Sequence, residues 1–425
     1  MRKKKTFPIY NKQWKSKLLN WTSRYPCVCY LDSNGYYDDS AYKNYECLVG
    51  VSNSPQSSIV NHPSSIRNDW AFGFMTYDLK NEIEKLSSNN FDNISMPLTH
   101  FFIPDFVFEL NDSEVIIHYP QGISEESIKH LFDEINSIII QPNNHPTKPI
   151  IQQRVSKEEY ISTIEKIRHH IALGDIYEMN YCMEFFAEDF VCDPYQIYSK
   201  LNQISPTPFS CFYKLDDKFL LCASPERFLM KKKNKIISQP IKGTIRRDLN
   251  DKNHDEQLKQ QLFNDPKERS ENVMIVDLVR NDLSRTAKKG SVKVEELFGI
   301  YSFKQVHQMI STVSSEVKED ISFDELIKTT FPMGSMTGAP KIRAMQLIEQ
   351  YEKTKRGLYS GSVGYISPDN NFDFNVVIRS IIYNSSKKYL SFMVGSAITF
   401  DSVPEKEYEE CLLKAKAIIE VLGEK

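Results

Sequence analysis

Short apolar runs separated by polar and turn-forming residues dominate the first 120 positions of the chain. The runs are rich in aromatic and β-branched residues, and Asn, Ser, Gly and Pro lie between them. They read YPCVCYLDS, YECLVGVS, WAFGFMTYDL, FFIPDFVFEL and VIIHY. Runs of this length and composition are typical of β-strands. The pattern therefore predicts a strand-rich amino-terminal region.

A polar segment follows that region. Residues Gln141 to Pro149, QPNNHPTKP, are rich in Pro and Asn and contain almost no apolar side chains. Such composition is typical of a loop or linker. We therefore predict two regions, one at residues 1–140 and one at 150–425.

Helical periodicity marks two later segments. Ser156 and Glu159 have the spacing of a capping box, apolar residues at helical spacing follow, and Gly174 ends the pattern. Near the carboxyl terminus, Ser402 and Glu405 have the same spacing, and Gly423 follows the last apolar position. Strands elsewhere come in runs and do not alternate strictly with helices, which favours an α+β fold.

Composition excludes several classes of protein. The chain has 425 residues, of which 40% are hydrophobic and 26% charged, and its net charge is −3. This balance gives no broad basic surface for nucleic acid. The basic start MRKKK is not followed by the apolar run of a signal peptide, and nothing approaches the ~20 apolar residues of a membrane span. Eight scattered cysteines favour reduced thiols and a cytoplasmic location.

Four glutamates on two predicted helices carry the strongest chemical signal. Glu268 and Glu271 are three positions apart, and so are Glu407 and Glu410. Residues at this spacing share one face of a helix. Each pair could simply be solvated helix surface. If the two faces converge, their carboxylates and retained waters would suit Mg²⁺.

Several motifs occur in a fixed order from about Glu159 to Leu422, with a fainter match before residue 110. They are GDIYEMN, SPERFL, PIKGTIRR, ENVMIVDLVRNDLSR, GSMTGAPKIRAM, RGLYSGSVGYI, VVIRS and DSVPEKEYEECLLKAKA. With these motifs the chain resembles the chorismate-utilising enzymes. The resemblance implies an α/β sandwich like that of anthranilate synthase component I, with two sheets packed at the core and helices outside. It also places a chorismate-binding catalytic domain at 150–425.

The resemblance assigns metal and substrate roles to the motif residues. Glu271 and Glu410 would bind Mg²⁺, which grips the ring carboxylate of chorismate, and Glu268 and Glu407 would hold its waters or bind it directly. Glu226 would be the general acid for the departing C4 hydroxyl. The residues expected to contact the substrate are Thr244 and His307 near that hydroxyl, Tyr365 and Arg379 at the enolpyruvyl carboxylate, Gly395 beneath the ring carboxylate, and Lys414 beside the metal cluster.

The residue type at position 242, which is lysine in this chain, differs between branches of the family. Members that make anthranilate have a small residue there, whereas those that make 4-amino-4-deoxychorismate, for para-aminobenzoate and folate synthesis, have lysine. In that branch the amine attacks C2 of chorismate, and ammonia then enters at C4 and expels it. The attack needs an unprotonated amine, so we expect burial or nearby cations to lower the pKa of Lys242. The alternative is a lysine that only pairs with the glutamates.

Two further features bear on the nucleophile. Glu178 stands where ammonia-using members more usually have Gln and water-using members have lysine, so its role is open. The chain shows no Cys-His-Glu glutaminase module, so ammonia should come from a separate glutamine amidotransferase subunit.

Anthranilate synthase component I is the nearest alternative function. A hydroxyl-transferring isochorismate or salicylate synthase is disfavoured by the absence of that lysine, and a non-catalytic chorismate- or Mg²⁺-binding partner protein is the alternative from another class.

Overall fold

The computed structural model describes residues 2–11, 13–36, 45–54, 68–140, 148–319 and 321–423. Most of the predicted linker, residues 141–147, lies outside the described residues. The strands are β1 Arg2–Pro8, β2 Cys27–Asp32, β3 Cys47–Ser52, β4 Ala71–Met75, β5 Thr99–Phe102, β6 Phe106–Leu110, β7 Glu114–Pro120, β8 Gln152–Gln153, β9 Glu178–Ala187, β10 Phe209–Leu215, β11 Lys218–Ser224, β12 Arg227–Lys232, β13 Lys235–Gln239, β14 Ile241–Arg246, β15 Lys293–Ser302, β16 Val306–Glu316, β17 Gly338–Ala339, β18 Ser362–Ile366, β19 Phe372–Asn375, β20 Ser380–Asn384 and β21 Tyr389–Ile398. The helices are α1 Trp14–Trp21, α2 Lys80–Ile83, α3 Glu125–Ser137, α4 Lys157–Ala172, α5 Pro194–Ile204, α6 Lys252–Asn264, α7 Pro266–Ser284, α8 Phe323–Thr330, α9 Lys341–Tyr351 and α10 Pro404–Leu422.

These strands form two antiparallel sheets. The first has the order β1-β7-β6-β3-β2-β10-β11-β20-β21-β9-β17, with β8 beside β9. The second has the order β14-β16-β13-β12-β19-β18-β4-β5, with β15 beside β16. Both sheets contain strands from before residue 140 and from after residue 150. The two predicted regions therefore share their sheets.

The sheets pack face to face, and the side-chain alternation of β2 shows how. Cys27 and Cys29 point into the apolar layer that also contains Phe72 and Phe228 from the second sheet. Val28 and its neighbours on the other face join the apolar layer beneath the outer helices. Successive side chains of a strand point to opposite faces, so one strand serves both layers. This is the expected sandwich with helices outside.

Most of the local predictions are confirmed. The five apolar runs at the amino terminus form strands, although FFIPDFVFEL divides at Pro104 into β5 and β6, which belong to different sheets. Helix α4 has the predicted capping box, with Glu159 N donating to Ser156 Oγ at 3.2 Å. Gly423 ends α10 with a left-handed φ of 87°.

The predicted capping box of α10 was wrong. The helix begins at Pro404, its N-cap is Val403, and no side chain caps it. Ser402 instead accepts a hydrogen bond from the backbone N–H of Thr399 at 3.1 Å. The serine closes the preceding turn, so its hydroxyl is not available to the helix. Within the described residues, no helix is long and apolar enough to cross a membrane.

Candidate active site

Lys242 lies in the interior between three structural elements. It is the second residue of β14, and only 9% of it is exposed. Its Nζ donates a hydrogen bond to Glu178 Oε1 on β9 at 2.6 Å. Glu271 Oε2 on α7 lies 3.8 Å from the same nitrogen. The lysine is therefore a buried ammonium group held between two carboxylates from distant parts of the chain.

This environment reverses the expected pKa shift of Lys242. Burial by itself would lower the pKa, as the sequence argument supposed. The negative charges of Glu178 and Glu271 outweigh burial and raise the pKa above its ordinary value. In the structure as it stands, Lys242 is protonated and pairs with the glutamates. A nucleophilic role therefore requires that a proton leave first.

Gly243 explains how α7 comes so close to β14. Its φ is +92°, a conformation that side chains with a Cβ rarely adopt. A Cβ at this position would lie 3.2 Å from Glu268 Oε2 and 3.3 Å from Glu268 Cβ. The glycine thus turns the chain after Lys242 and leaves room for the first turn of the helix that carries the glutamates.

The four glutamates predicted as a metal site come from α7 and α10, and they converge on Lys267. The Nζ of Lys267 lies 3.8 Å from Glu271 Oε1 and 3.9 Å from Glu407 Oε1. Glu268 and Glu410 also act on its charge, and although burial opposes them, the four carboxylates together raise the pKa of Lys267. The two helices therefore do bring their acidic faces together, which spacing alone could not establish.

The cluster fits a hard cation in its chemistry, although it is not assembled as a cage. Among the described residues, no three His, Cys, Asp or Glu side chains lie close enough together to hold a metal ion. Glu271 Oε1 is buried and has no hydrogen-bond partner in the described part of the chain, and burial raises the pKa of Glu271 to about 7. Buried carboxylates short of donors are stabilised by an added cation.

The far side of the cluster is formed by α10 and β21. Lys414 donates to Glu410 Oε1 at 2.7 Å and to the backbone carbonyl of Gly395 at 2.8 Å. A Cβ on Gly395 would lie 2.5 Å from Cys182 Sγ and 2.8 Å from Asn180 Oδ1. Only a residue without a side chain fits at this point. Gly395, Lys414 and Glu410 are therefore neighbours.

Glu226 lies in the loop between β11 and β12 and is 4% exposed. Its Oε1 accepts a hydrogen bond from Ser335 Oγ at 2.7 Å. Burial raises its pKa to about 7, although Ser335 and the positive charges of Lys242 and Arg379 favour the ionised form. A carboxyl group that is partly protonated near neutral pH can serve as a general acid. Arg379 follows β19 and holds an unusual positive φ of 49°.

Thr244 and His307, expected to lie together, point in different directions. On β16, Gln308 is the residue opposite Thr244, and its Nε2 donates to Thr244 Oγ1 at 3.3 Å. His307 faces the other side of the strand and uses both ring nitrogens there, with Ser302 and Asp255 each at 2.9 Å. Gln308, and not His307, lies on the same face of the sheet as Thr244, because adjacent residues of a strand point to opposite faces. The substrate contact predicted for His307 was therefore assigned one position too early.

Gln308 is the residue that the motif assignment missed. It is 2% exposed, and its Oε1 has no hydrogen-bond partner among the described residues. A buried amide oxygen without a donor is expensive unless a ligand or water supplies one. The strand alternation of VHQMISTV could have shown that only one of the two adjacent polar residues faces Thr244.

Tyr365 lies apart from the Lys242 cluster. Its ring packs against Tyr45 and Trp70, and it lines a cavity of about 240 Å³ together with Arg227 and Asp373. Among the described residues, those that line this cavity include none of the predicted metal ligands.

Tyr359 is the tyrosine at the Gly395 side of the site. It is 4% exposed, and burial raises the pKa of Tyr359, to which Cys182, the residue packed beneath Gly395, contributes by acting on its hydroxyl. Tyr359 and Tyr365 both belong to the motif RGLYSGSVGYI. The motif thus contained two tyrosines, and only packing distinguishes them.

Comparison with known proteins places this constellation in a family. The family model described as chorismate binding enzyme matches residues 35–420. The chain belongs to the chorismate binding enzyme family.

Relatives within the family carry different activities. Aminodeoxychorismate synthase component 1 of Bacillus subtilis is 31% identical over 84% of this chain and 78% of its own length. Its counterpart in Salmonella typhimurium is 35% identical over 83% and 76%, respectively. Anthranilate synthase component 1 of Aquifex aeolicus is 32% identical over 82% and 73%. Overall identity therefore does not separate the two activities.

Solved structures show the same fold. Anthranilate synthase component I from Streptococcus pneumoniae aligns with a TM-score of 0.73 and 23% identity, over 98% of this chain and 92% of that one. The menaquinone-specific isochorismate synthase from Escherichia coli aligns with a TM-score of 0.77 and 17% identity, over 99% and 95%. At these identities the likeness concerns the fold alone, and it confirms the sandwich expected for the chorismate binding enzyme family.

Proposed function

We propose that this chain is component I of an aminodeoxychorismate synthase, which converts chorismate and ammonia to 4-amino-4-deoxychorismate. The observation that carries the proposal is the position of Lys242. Its amine is buried between Glu178 and Glu271, and the charge of Glu226 also acts on it. A lysine on the surface of the same strand would have no access to a substrate held by the glutamates.

The proposed chemistry divides one displacement into two. Lys242 first loses its proton to a neighbouring carboxylate, Glu178 or Glu271. Glu226 then gives its proton to the C4 hydroxyl, which leaves as water while the ring double bonds shift and the free amine of Lys242 forms a bond to C2. Ammonia then bonds to C4, and the bond between C2 and Nζ breaks with the electron pair returning to the lysine. The raised pKa of Glu226, about 7, supports the first role because a protonated fraction is present near neutral pH.

Mg²⁺ is part of the proposal. Glu271 and Glu410 would bind it, with Glu268 and Glu407 holding its waters or binding directly. When bound, the ion supplies positive charge for the ring carboxylate of chorismate. Support comes from the convergence of four carboxylates around a single lysine, Lys267. Lys414 would balance the remaining charge beside Gly395.

Ammonia would be delivered by a separate glutamine amidotransferase subunit. The relatives from Bacillus subtilis and Salmonella typhimurium are named component 1, which is consistent with a second component. Ammonium salts at alkaline pH should replace that subunit in vitro. We expect the enzyme to act in the cytoplasm, where its free cysteines would stay reduced.

Anthranilate synthase component I is the second candidate, because anthranilate synthases are as similar in sequence as aminodeoxychorismate synthases. Incubation of the purified chain with chorismate, Mg²⁺ and ammonium chloride distinguishes them. We expect 4-amino-4-deoxychorismate, detected by its mass and by conversion to para-aminobenzoate with added lyase. Anthranilate as the main product would transfer the assignment to the second candidate. The absence of any product would favour a non-catalytic binding protein.

A further inference from the structure

Arg356 is buried with its charge in the interior, between α9 and β18. It is 3% exposed, and so is its ion-pair partner Glu352. Its Nη2 donates to Glu352 Oε1 at 2.6 Å, and its Nε donates to Glu352 Oε2 at 2.9 Å. A buried ion pair is by itself weak evidence of stabilisation, because both groups lose their hydration. The other hydrogen bonds of Arg356 therefore indicate what the buried charge does.

The remaining N–H groups of Arg356 join two segments that are far apart in the chain. Nη1 donates to the backbone carbonyl of Met336 at 2.5 Å, and Nη2 donates to that of Asn180 at 2.9 Å. The Ser360 hydroxyl accepts a further hydrogen bond from Nη1 at 3.4 Å. Arginine offers its N–H donors in a fixed planar fork, so one side chain can hold both carbonyls at a set distance. Lysine, with a single nitrogen on a flexible stem, cannot do the same.

Both segments belong to the candidate active site. Met336 directly follows Ser335, whose Oγ donates to Glu226 Oε1 at 2.7 Å. Asn180 lies on β9, which also meets this loop through backbone hydrogen bonds. The position of the Ser335 hydroxyl therefore depends on how the loop is held against β9, and Arg356 spans the two.

We propose that Arg356 is a positioning residue for Glu226: it fixes the loop and thereby holds the Ser335 hydroxyl where it orients the Glu226 carboxyl group. The proposal rests on the proposed function, since it takes Glu226 as the general acid. Lys242 and Arg379 act on Glu226 directly through their charges. Arg356 acts on it through the loop. Orientation of a proton donor affects the rate of the chemical step more than it affects substrate binding.

Two variants test this link. Arg356→Lys keeps a positive charge beside Glu352 but cannot hold both carbonyls, and Ser335→Ala removes the hydrogen bond to Glu226 directly. Steady-state amination of chorismate is measured from pH 5.5 to 9 at saturating Mg²⁺ and a constant concentration of free ammonia. We expect kcat of Arg356→Lys to fall on the order of 10²-fold, with the KM for chorismate changed less than about threefold, because the acid is misoriented while the binding groups are unaltered. Arg24→Lys, at an exposed position after α1, is the control and should change neither.

The pH profile distinguishes positioning from structural support alone. Burial raises the pKa of Glu226, and the hydrogen bond from Ser335 opposes this by favouring the ionised form. The pH above which kcat declines should therefore move upward in Ser335→Ala and in Arg356→Lys. The double variant should not move it beyond Ser335→Ala alone. An arginine that only supports the fold would lower kcat equally at every pH, and that result, or an additive shift in the double variant, overturns the proposal.

Urea unfolding gives a readout that needs no turnover. Because folding raises the pKa of Glu226, protonation of this group stabilises the protein at low pH, and the contribution is lost as the pH rises through the folded-state pKa. The loss should move to higher pH in both variants and should not move when Glu226→Gln is also present. Should Arg356→Lys fail to fold, Arg356→Gln combined with Glu352→Gln removes both charges together and must show the same shift. An unmoved unfolding profile overturns the positioning role, whereas a natural enzyme that makes no 4-amino-4-deoxychorismate contradicts the proposed function, so the two failures are distinguishable.

Discussion

Replacing Glu226 by glutamine should remove activity and, at high pH, increase stability. The two side chains have nearly the same shape, and glutamine can still accept the hydrogen bond from Ser335. The pKa of Glu226 is raised from its ordinary 4.5 to about 7, chiefly by burial. Each pKa unit corresponds to ~1.36 kcal/mol, so the ionised side chain destabilises the folded state by about 3 kcal/mol.

The sign of the effect follows from proton binding. The folded protein binds this proton more tightly than the unfolded chain does, so the contribution is fully present below pH 4.5 and is lost as the pH rises to about 7. Glu226→Gln has no proton to lose. We therefore expect the variant to match the natural protein near pH 4.5 and to exceed its free energy of unfolding by up to about 3 kcal/mol at pH 8.5.

Urea unfolding at pH 5, 7 and 8.5 measures this difference, and amination of chorismate gives the activity. We expect turnover to fall by a factor on the order of 10²–10⁴, which is typical when a general acid is removed. Glu409→Gln, at an exposed position of α10, is the control and should change neither quantity. A variant that is equally destabilised at every pH, or one that keeps its turnover, would refute the reasoning.

Three further predictions concern the metal, the nitrogen source and the lysine. Glu271→Gln and Glu410→Gln should lose turnover at limiting Mg²⁺ while folding normally, because each removes a hard anionic ligand; near-normal rates in both, measured by titration with Mg²⁺, would exclude the assignment. Ammonium salts should support amination by the purified chain, whereas glutamine should do so only after a glutaminase is added; glutamine-dependent product from the chain alone would contradict this. Lys242→Ala should reduce the rate more than 100-fold with little change in chorismate binding, and Lys242→Arg should not restore it, since guanidinium stays protonated. Recovery of the amination rate in Lys242→Arg would indicate that Lys242 only forms ion pairs.

Several features of the site could be predicted from neighbouring residues alone. The capping box of α4 and the left-handed Gly423 depend on hydrogen bonds within one turn, so spacing identifies them. The three-residue spacing of Glu268 and Glu271 likewise fixes a shared helix face. The ordered motifs identified the chorismate binding enzyme family, because the residues of the site lie within them.

The spacing of residues along the chain could not show which side chains contact each other in the folded protein. His307 and Gln308 are adjacent and polar, and only the pairing of β14 with β16 shows which one faces Thr244. Ser402 has the spacing of a cap, yet a competing turn takes its hydroxyl. Each outcome depends on a partner that the local pattern does not contain.

The sequence by itself determined the strands, most helix ends, the family and the inventory of charged groups. Only the tertiary structure decided that Lys242 is a protonated partner of Glu178, a residue 64 positions away in the chain. Sequence reasoning expected burial to lower the pKa of this lysine, and burial does act in that direction. Two carboxylates brought in by β9 and α7 reverse the result, because charge interactions depend on distance in space and are strong where water is excluded.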